Sequence, residues 1–238
     1  MVAAGICADD EAQRGGEALL PSRALRRASP LTRALLDAIA KAVPAHHALA
    51  EMPMVFGSAF GEMQVTCALL RCLEEEGMSS PALFHRSVHN VAAGLLSITV
   101  GFRGFAVSVA AGSATPAMAL LEAMAWLHAH GGEVLLAVGD EAATTVLHTN
   151  LSFAAVAAAF VLSASLTRGV RLESPRRIAT GARPAGVQPR CNPCAGAVHL
   201  AQALRSGHRG VVPLSPDGTW VVDIGEGTLG DAGAGGAM

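Results

Sequence analysis

The sequence predicts an α/β domain, and three observations carry that prediction. A strand-like FAVSV run (Phe105 to Val109) passes through a Gly/Ala/Ser elbow into an apolar helix from about Ala114 to His130. Gly131-Gly132 stops that helix, and Glu133 to Gly139 follows as an unbroken apolar run of the parallel-sheet type. At 238 residues, 51% hydrophobic and 15% charged, the chain is long and apolar enough to bury one sizeable core.

Taken in order, residues 1–17 give no defined element, a single domain is expected over 18–224, and a Gly-rich tail over 225–238 reads as disordered. The start has no basic n-region and too short an apolar run for a signal peptide, so a cytoplasmic location is expected. Ser29-Pro30 offers an N-cap and a first helical residue, which predicts a helix over about Pro30 to Val43. Arg23, Arg26 and Arg27 before it read as its solvated entry, with a docking patch for an acidic carrier protein as the alternative.

PMVFGSAF (Pro53 to Phe60) reads as a buried strand ending in a Gly/Ser turn, with Ser58 or Ala59 opening a helix through Glu76. A phosphate-binding reading of Gly57 and Gly61 is weak, because neither G-x-G-x-x-G nor a P-loop Lys is present. The helix after the elbow carries Ala, Met, Leu and Trp on nearly every face, with Glu122 its one acid, so it belongs between two layers.

The uncharged run from Ala142 to Thr167 contains His148, Asn150 and several Ser and Thr; it reads as a buried strand entered from a helix or loop, and no membrane span is expected. Six Arg lie between Arg168 and Arg190 against Glu173 alone, a solvated loop or a surface for an acidic partner. A helix over Ala195 to Arg205 and strands at Val211 to Leu214 and Trp220 to Ile224 close the domain.

A net charge of −2 gives no reason to expect nucleic acid. Cys191-Asn-Pro-Cys194 lacks the second pair that a zinc site would want and sits late for a redox motif, so a structural role is expected. No metal and no cofactor is expected. Adjacent Asp140 and Glu141 read as a solvated turn or salt-bridge anchor, since neighbours in a loop rarely converge on one atom.

From Asn90 to Gly139 the chain resembles the nucleophile region of the β-ketoacyl synthases, in the thiolase-like superfamily. The matching residues are Asn90, Ala93 and Gly94, then Gly104 with Phe105 in place of a Pro, then Ala110 to Thr115 through the elbow, and last Glu133 to Gly139. A closer resemblance, over roughly Ala18 to Ile224, is to free-standing chain-length-factor-like proteins of aryl-polyene and related gene sets. It rests on Ser87, Val88, His89, Asn90 and Gly94, on Ala111, Gly112 and Ser113, and on Leu120 to Ala123.

The resemblance implies a thiolase-like half, with a mixed sheet and a buried central helix, plus a shortened C-terminal remnant. It puts Ser113 where the family has its catalytic Cys, and the family's His-Gly-Thr and Gly-His contexts do not occur. A Ser hydroxyl without a base is a poor nucleophile. The function implied is a non-catalytic accessory subunit that pairs with a true ketosynthase in fatty-acid or polyketide-type biosynthesis, with acyl carrier protein as a further partner. Structural roles are implied for His89 and Asn90. Two other readings stay open: a serine acyl enzyme using Ser113, and a carrier-binding module.

Overall fold

The computed structural model describes residues 3–8, 19–43, 46–143, 153–165, 170–179 and 192–226. In chain order the elements are β1 (Ala3–Ala8), α1 (Ser22–Leu25), α2 (Pro30–Ala42), β2 (Met54–Gly57), α3 (Met63–Glu76), α4 (Pro81–Arg86), α5 (Val91–Val100) and β3 (Ala106–Val109). They continue with α6 (Thr115–His130), β4 (Glu133–Asp140), β5 (Val156–Ser163), β6 (Val170–Leu172), β7 (Arg176–Arg177), α7 (Ala195–Arg205), β8 (Gly210–Pro213) and β9 (Trp220–Glu226).

Five strands form one mixed sheet in the order β1-β5-β4-β2-β3. The β2 strand runs parallel to both β3 and β4, whereas β5 runs antiparallel to β4 and to β1. A small antiparallel sheet gathers β6, β7 and β8 around β9.

Alternation along the strands divides the core into two. Met54 and Phe56 of β2, Leu135 and Ala137 of β4, and Ala157 and Ala159 of β5 face α2 and α5, whose Leu35, Leu36, Ile39 and Leu96 are buried against them. The intervening residues Val55, Leu136, Val138 and Phe160 face α6 and α7. Beyond that helical layer, Val212, Val222 and Ile224 of the small sheet complete the second core.

The elements expected from Pro30 onward are present, with shifted ends, and β1 (Ala3–Ala8) lies in the stretch 1–17 where no defined element was expected. The Ser29 hydroxyl accepts the Thr32 amide at 2.9 Å and caps α2 as its Ser-Pro start requires. The next helix begins at Met63, later than expected, because Gly61 has φ +62 and cannot sit inside a helix. The α6 helix lies on the sheet and meets β9 on its other side. Thr115, Pro116, Ala117, Ala119, Leu120 and Ala123 are buried, while its last turn emerges with His128 and His130 exposed.

The Gly-rich tail beyond residue 226 and Cys191 lie outside the described residues, as do Arg168, Arg183 and Arg190 of the basic run. Among the described residues no helix is long and apolar enough to cross a membrane.

Candidate functional site

The elbow between β3 and α6 is built from Gly112 and Thr115. Gly112 turns the chain at φ +54, in the left-handed region that favours glycine. The buried Thr115 hydroxyl accepts the Ala111 amide at 2.9 Å and donates to the Gly112 carbonyl at 2.8 Å, which closes the turn on itself. Pro116 then starts the helix, where its missing N–H costs nothing.

Ser113 sits in the single-turn 3-10 segment Gly112–Ala114, with its side chain exposed at the N-terminal end of α6. No imidazole bonds its hydroxyl among the described residues. His128 and His130 lie at the far end of α6, and His199 and His208 line a separate groove beside α7. Burial pulls the His199 imidazole below its ordinary range, so it is neutral there.

The signature residues upstream fall on the helices beside β3. The Ser87 hydroxyl donates to the Phe84 carbonyl at 2.9 Å at the end of α4. His89 lays its ring against Gly61, where a Cβ would sit 2.9 Å from it. Asn90 precedes α5 without a side-chain capping bond, so its carboxamide does not hold the helix start. Gly94 has nothing within 4 Å of the place a Cβ would occupy, so no neighbour among the described residues requires a glycine there. Gly104 does have a reason: a Cβ would lie 2.6 Å from the Phe102 ring tip.

The largest polar feature was not read from the sequence. Asp140 and Glu141 are not a solvated turn: they are 0% and 1% exposed, and Glu62 is 1% exposed beside them. Asp140 Oδ1 accepts the Ser58 hydroxyl at 2.5 Å and the Phe60 amide at 3.1 Å. Its Oδ2 accepts the Ala59 amide at 3.2 Å and the Cys194 thiol at 3.1 Å. Burial pushes this carboxyl up from its ordinary range, and the four donors pull it back.

Glu141 Oε1 accepts the Gln64 amide at 2.7 Å, and Glu62 Oε1 accepts the Thr32 hydroxyl at 2.8 Å. The second carboxylate oxygen of each is buried with no hydrogen-bond partner among the described residues. Burial, with the nearby Glu62 and Asp140 charges adding to it, pushes Glu141 up to about 7.

Cys194 is fully buried, and burial followed by the Asp140 charge pushes its thiol well up, so it is an inert donor rather than a nucleophile. Asn192 ties it in place: its side-chain oxygen accepts the Cys194 amide at 2.8 Å while its amide donates to the Asp140 carbonyl at 3.2 Å. No group of His, Cys, Asp and Glu among the described residues could hold a metal ion. The crevice beside Glu62, His89 and Ser108 is about 10 Å³, room for one water at most.

This network is therefore a brace for the ends of β2 and β4, whereas the elbow presents the Ser113 side chain at the surface. A mixed sheet, a strand-elbow-helix unit and a helix held between two sheets define a thiolase-like α/β protein. The chain belongs to the β-ketoacyl synthase N-terminal domain family, whose model matches residues 5–220.

Solved structures of that kind share the fold. One is a ketosynthase, ApeO, in complex with its chain length factor, ApeC, from Xenorhabdus doucetiae, at a TM-score of 0.68 and 18% identity over 92% of this chain and 96% of that one. A β-ketoacyl synthase from Burkholderia phymatum matches at a TM-score of 0.53 and 13% identity over 83% of this chain and 63% of its own. The ishigamide ketosynthase/chain length factor matches at 0.52 and 18%, over 82% and 59%. A search of curated proteins finds no match.

Proposed function

We propose that this chain is a non-catalytic, chain-length-factor-like subunit that pairs with a ketosynthase in fatty-acid or polyketide-type biosynthesis of the aryl-polyene kind. The observation that carries the proposal is the open edge of β3, the strand that feeds the elbow. The Phe105 and Val109 carbonyls accept the Met54 and Ser58 amides, at 2.9 and 3.1 Å, from the β2 side. By alternation Ala106 and Ser108 present their backbone groups outward, where the sheet ends among the described residues.

An unpaired edge of this kind is a template for another chain. The two helices preceding it and the turn between them carry large exposed apolar side chains: Phe84 at 59%, Val88 at 38% and Ile98 at 82%. Exposed apolar surface of this extent in one region favours a protein partner. Solved relatives that pair a ketosynthase with a chain length factor support the identity of that partner. The exposed Ser113, with no imidazole bonded to it among the described residues, supports an accessory role.

The basic run gives weaker support for carrier binding. Arg171 pairs with Glu173 at 3.0 Å and Arg176 with Asp223 at 2.8 Å, which spends two of its charges within the chain.

Co-expression of the chain with a ketosynthase of a chain-length-factor pair tests the proposal. Co-purification, acylation of the ketosynthase alone by an acyl-thioester donor, and loss of co-purification on Ala106→Pro are expected. An acyl adduct on Ser113 in intact-mass spectra, removed by Ser113→Ala, would establish the serine acyl enzyme instead. Carrier capture without the ketosynthase would establish the binding module.

A further inference from the structure

Three acidic side chains from two parts of the chain meet in the interior: Glu62 at the start of α3, and Asp140 and Glu141 at the end of β4. Their circumstances differ. Asp140 is surrounded by four donors and can remain ionised. Glu62 and Glu141 each have one oxygen held by a donor and one buried oxygen with no hydrogen-bond partner among the described residues.

Among the described residues, the charged groups around the pair do not balance two anions. Arg86 acts on Glu62 from α4 and is itself half-buried. The Cys194 thiol of the α7 side is already given to Asp140, and the His89 ring lies against Gly61. Thr32 reaches Glu62 from α2. Two unbalanced carboxylates at such burial cost far more than one carboxylate beside one neutral, protonated acid.

We infer that Glu62 and Glu141 retain one proton between them in the folded chain at neutral pH, and that its loss loosens the joint linking α2, the Ser58–Gln64 turn and the end of β4. The burial of both acids and the unpartnered oxygen on each are the geometry behind the inference. The upward push on both carboxyls agrees with it. What titrates is the pair, so its midpoints belong to both residues.

The experiment is a carbon-detected titration of side-chain carboxyls in the full chain labelled at Glu, repeated with Glu62→Gln and with Glu141→Gln. One Glu carboxyl should titrate near neutrality in the unsubstituted chain. Its midpoint should fall by about one unit when the other acid is replaced by the neutral amide. Both carboxyls titrating in the ordinary acid range would overturn the proposal, as would a near-neutral midpoint unmoved by either substitution. Because each Gln variant reports on the remaining acid, one folded variant suffices.

Amide exchange gives an independent readout. After correction for intrinsic rates, the Gln64 amide should exchange about tenfold faster one unit above the midpoint than one unit below it. Unchanged protection across that range would also overturn the loosening.

Discussion

The Ser58 hydroxyl and the Asp140 carboxylate, 82 positions apart in sequence, meet at 2.5 Å in the interior and lock the end of β2 to the end of β4. Ser58 also accepts the Gly61 amide at 2.8 Å, so one hydroxyl serves both the turn and the brace. Ser58→Ala is expected to lower stability by about 1.5–3 kcal/mol, the range for a hydrogen bond to a charged group. Urea unfolding midpoints of the two chains check it; equal midpoints would mean the brace is not made in solution.

Glu141 gives stability a pH dependence of defined sign. Its folded-state value is raised to about 7 from an ordinary 4.5, so its favourable contribution is full below 4.5 and is lost as pH rises through about 7. The thermal midpoint should fall between pH 5 and 7.5 and then level off. Glu141→Gln, which keeps an acceptor for the Gln64 amide, should flatten that slope. A slope identical in both chains would exclude Glu141 as its source.

At Gly196 the first turn of α7 passes so close to the Leu214 carbonyl that a Cβ would overlap its backbone. A backbone cannot rotate away as a side-chain tip can. Gly196→Ala is expected to cost about 1–3 kcal/mol or more by prising α7 from β8, although alanine is the better helix former. Circular dichroism during chemical unfolding would show it; a neutral or stabilising result would mean that α7 sits further from Leu214.

Gly94 is the converse case. It lies in α5 with open space where a Cβ would be. Gly94→Ala should therefore stabilise the isolated chain by roughly 1 kcal/mol. If a ketosynthase packs on this side, the same methyl weakens co-purification. Raised stability with unaltered pairing would place the partner elsewhere.

The contrast between these sites shows what a linear reading can reach. The α2 helix was legible from Ser29-Pro30 and its apolar face, and β4 and β5 from unbroken apolar runs. The elbow was legible because a strand, small residues and a Pro-started helix follow one another in the chain. Glu62 and the Asp140-Glu141 pair were not, because adjacent charges ordinarily mark a surface and their donors lie far along the chain: Thr32 is 30 positions from Glu62, and Ser58 and Gln64 are 82 and 77 from Asp140 and Glu141. The one local hint was that Gly139-Asp140-Glu141 directly continues a buried strand.

The pairing of β1 with β5 places Ala3 opposite Val161. A ribosome extends a chain by about 5–20 residues per second, so the first strand emerges roughly ten to thirty seconds before the strand it joins. During that interval β1 is an apolar strand with no neighbour, and no shorter nascent chain can close that side of the sheet. The last strand of the sheet to be synthesised thus determines when the first one becomes safe from aggregation.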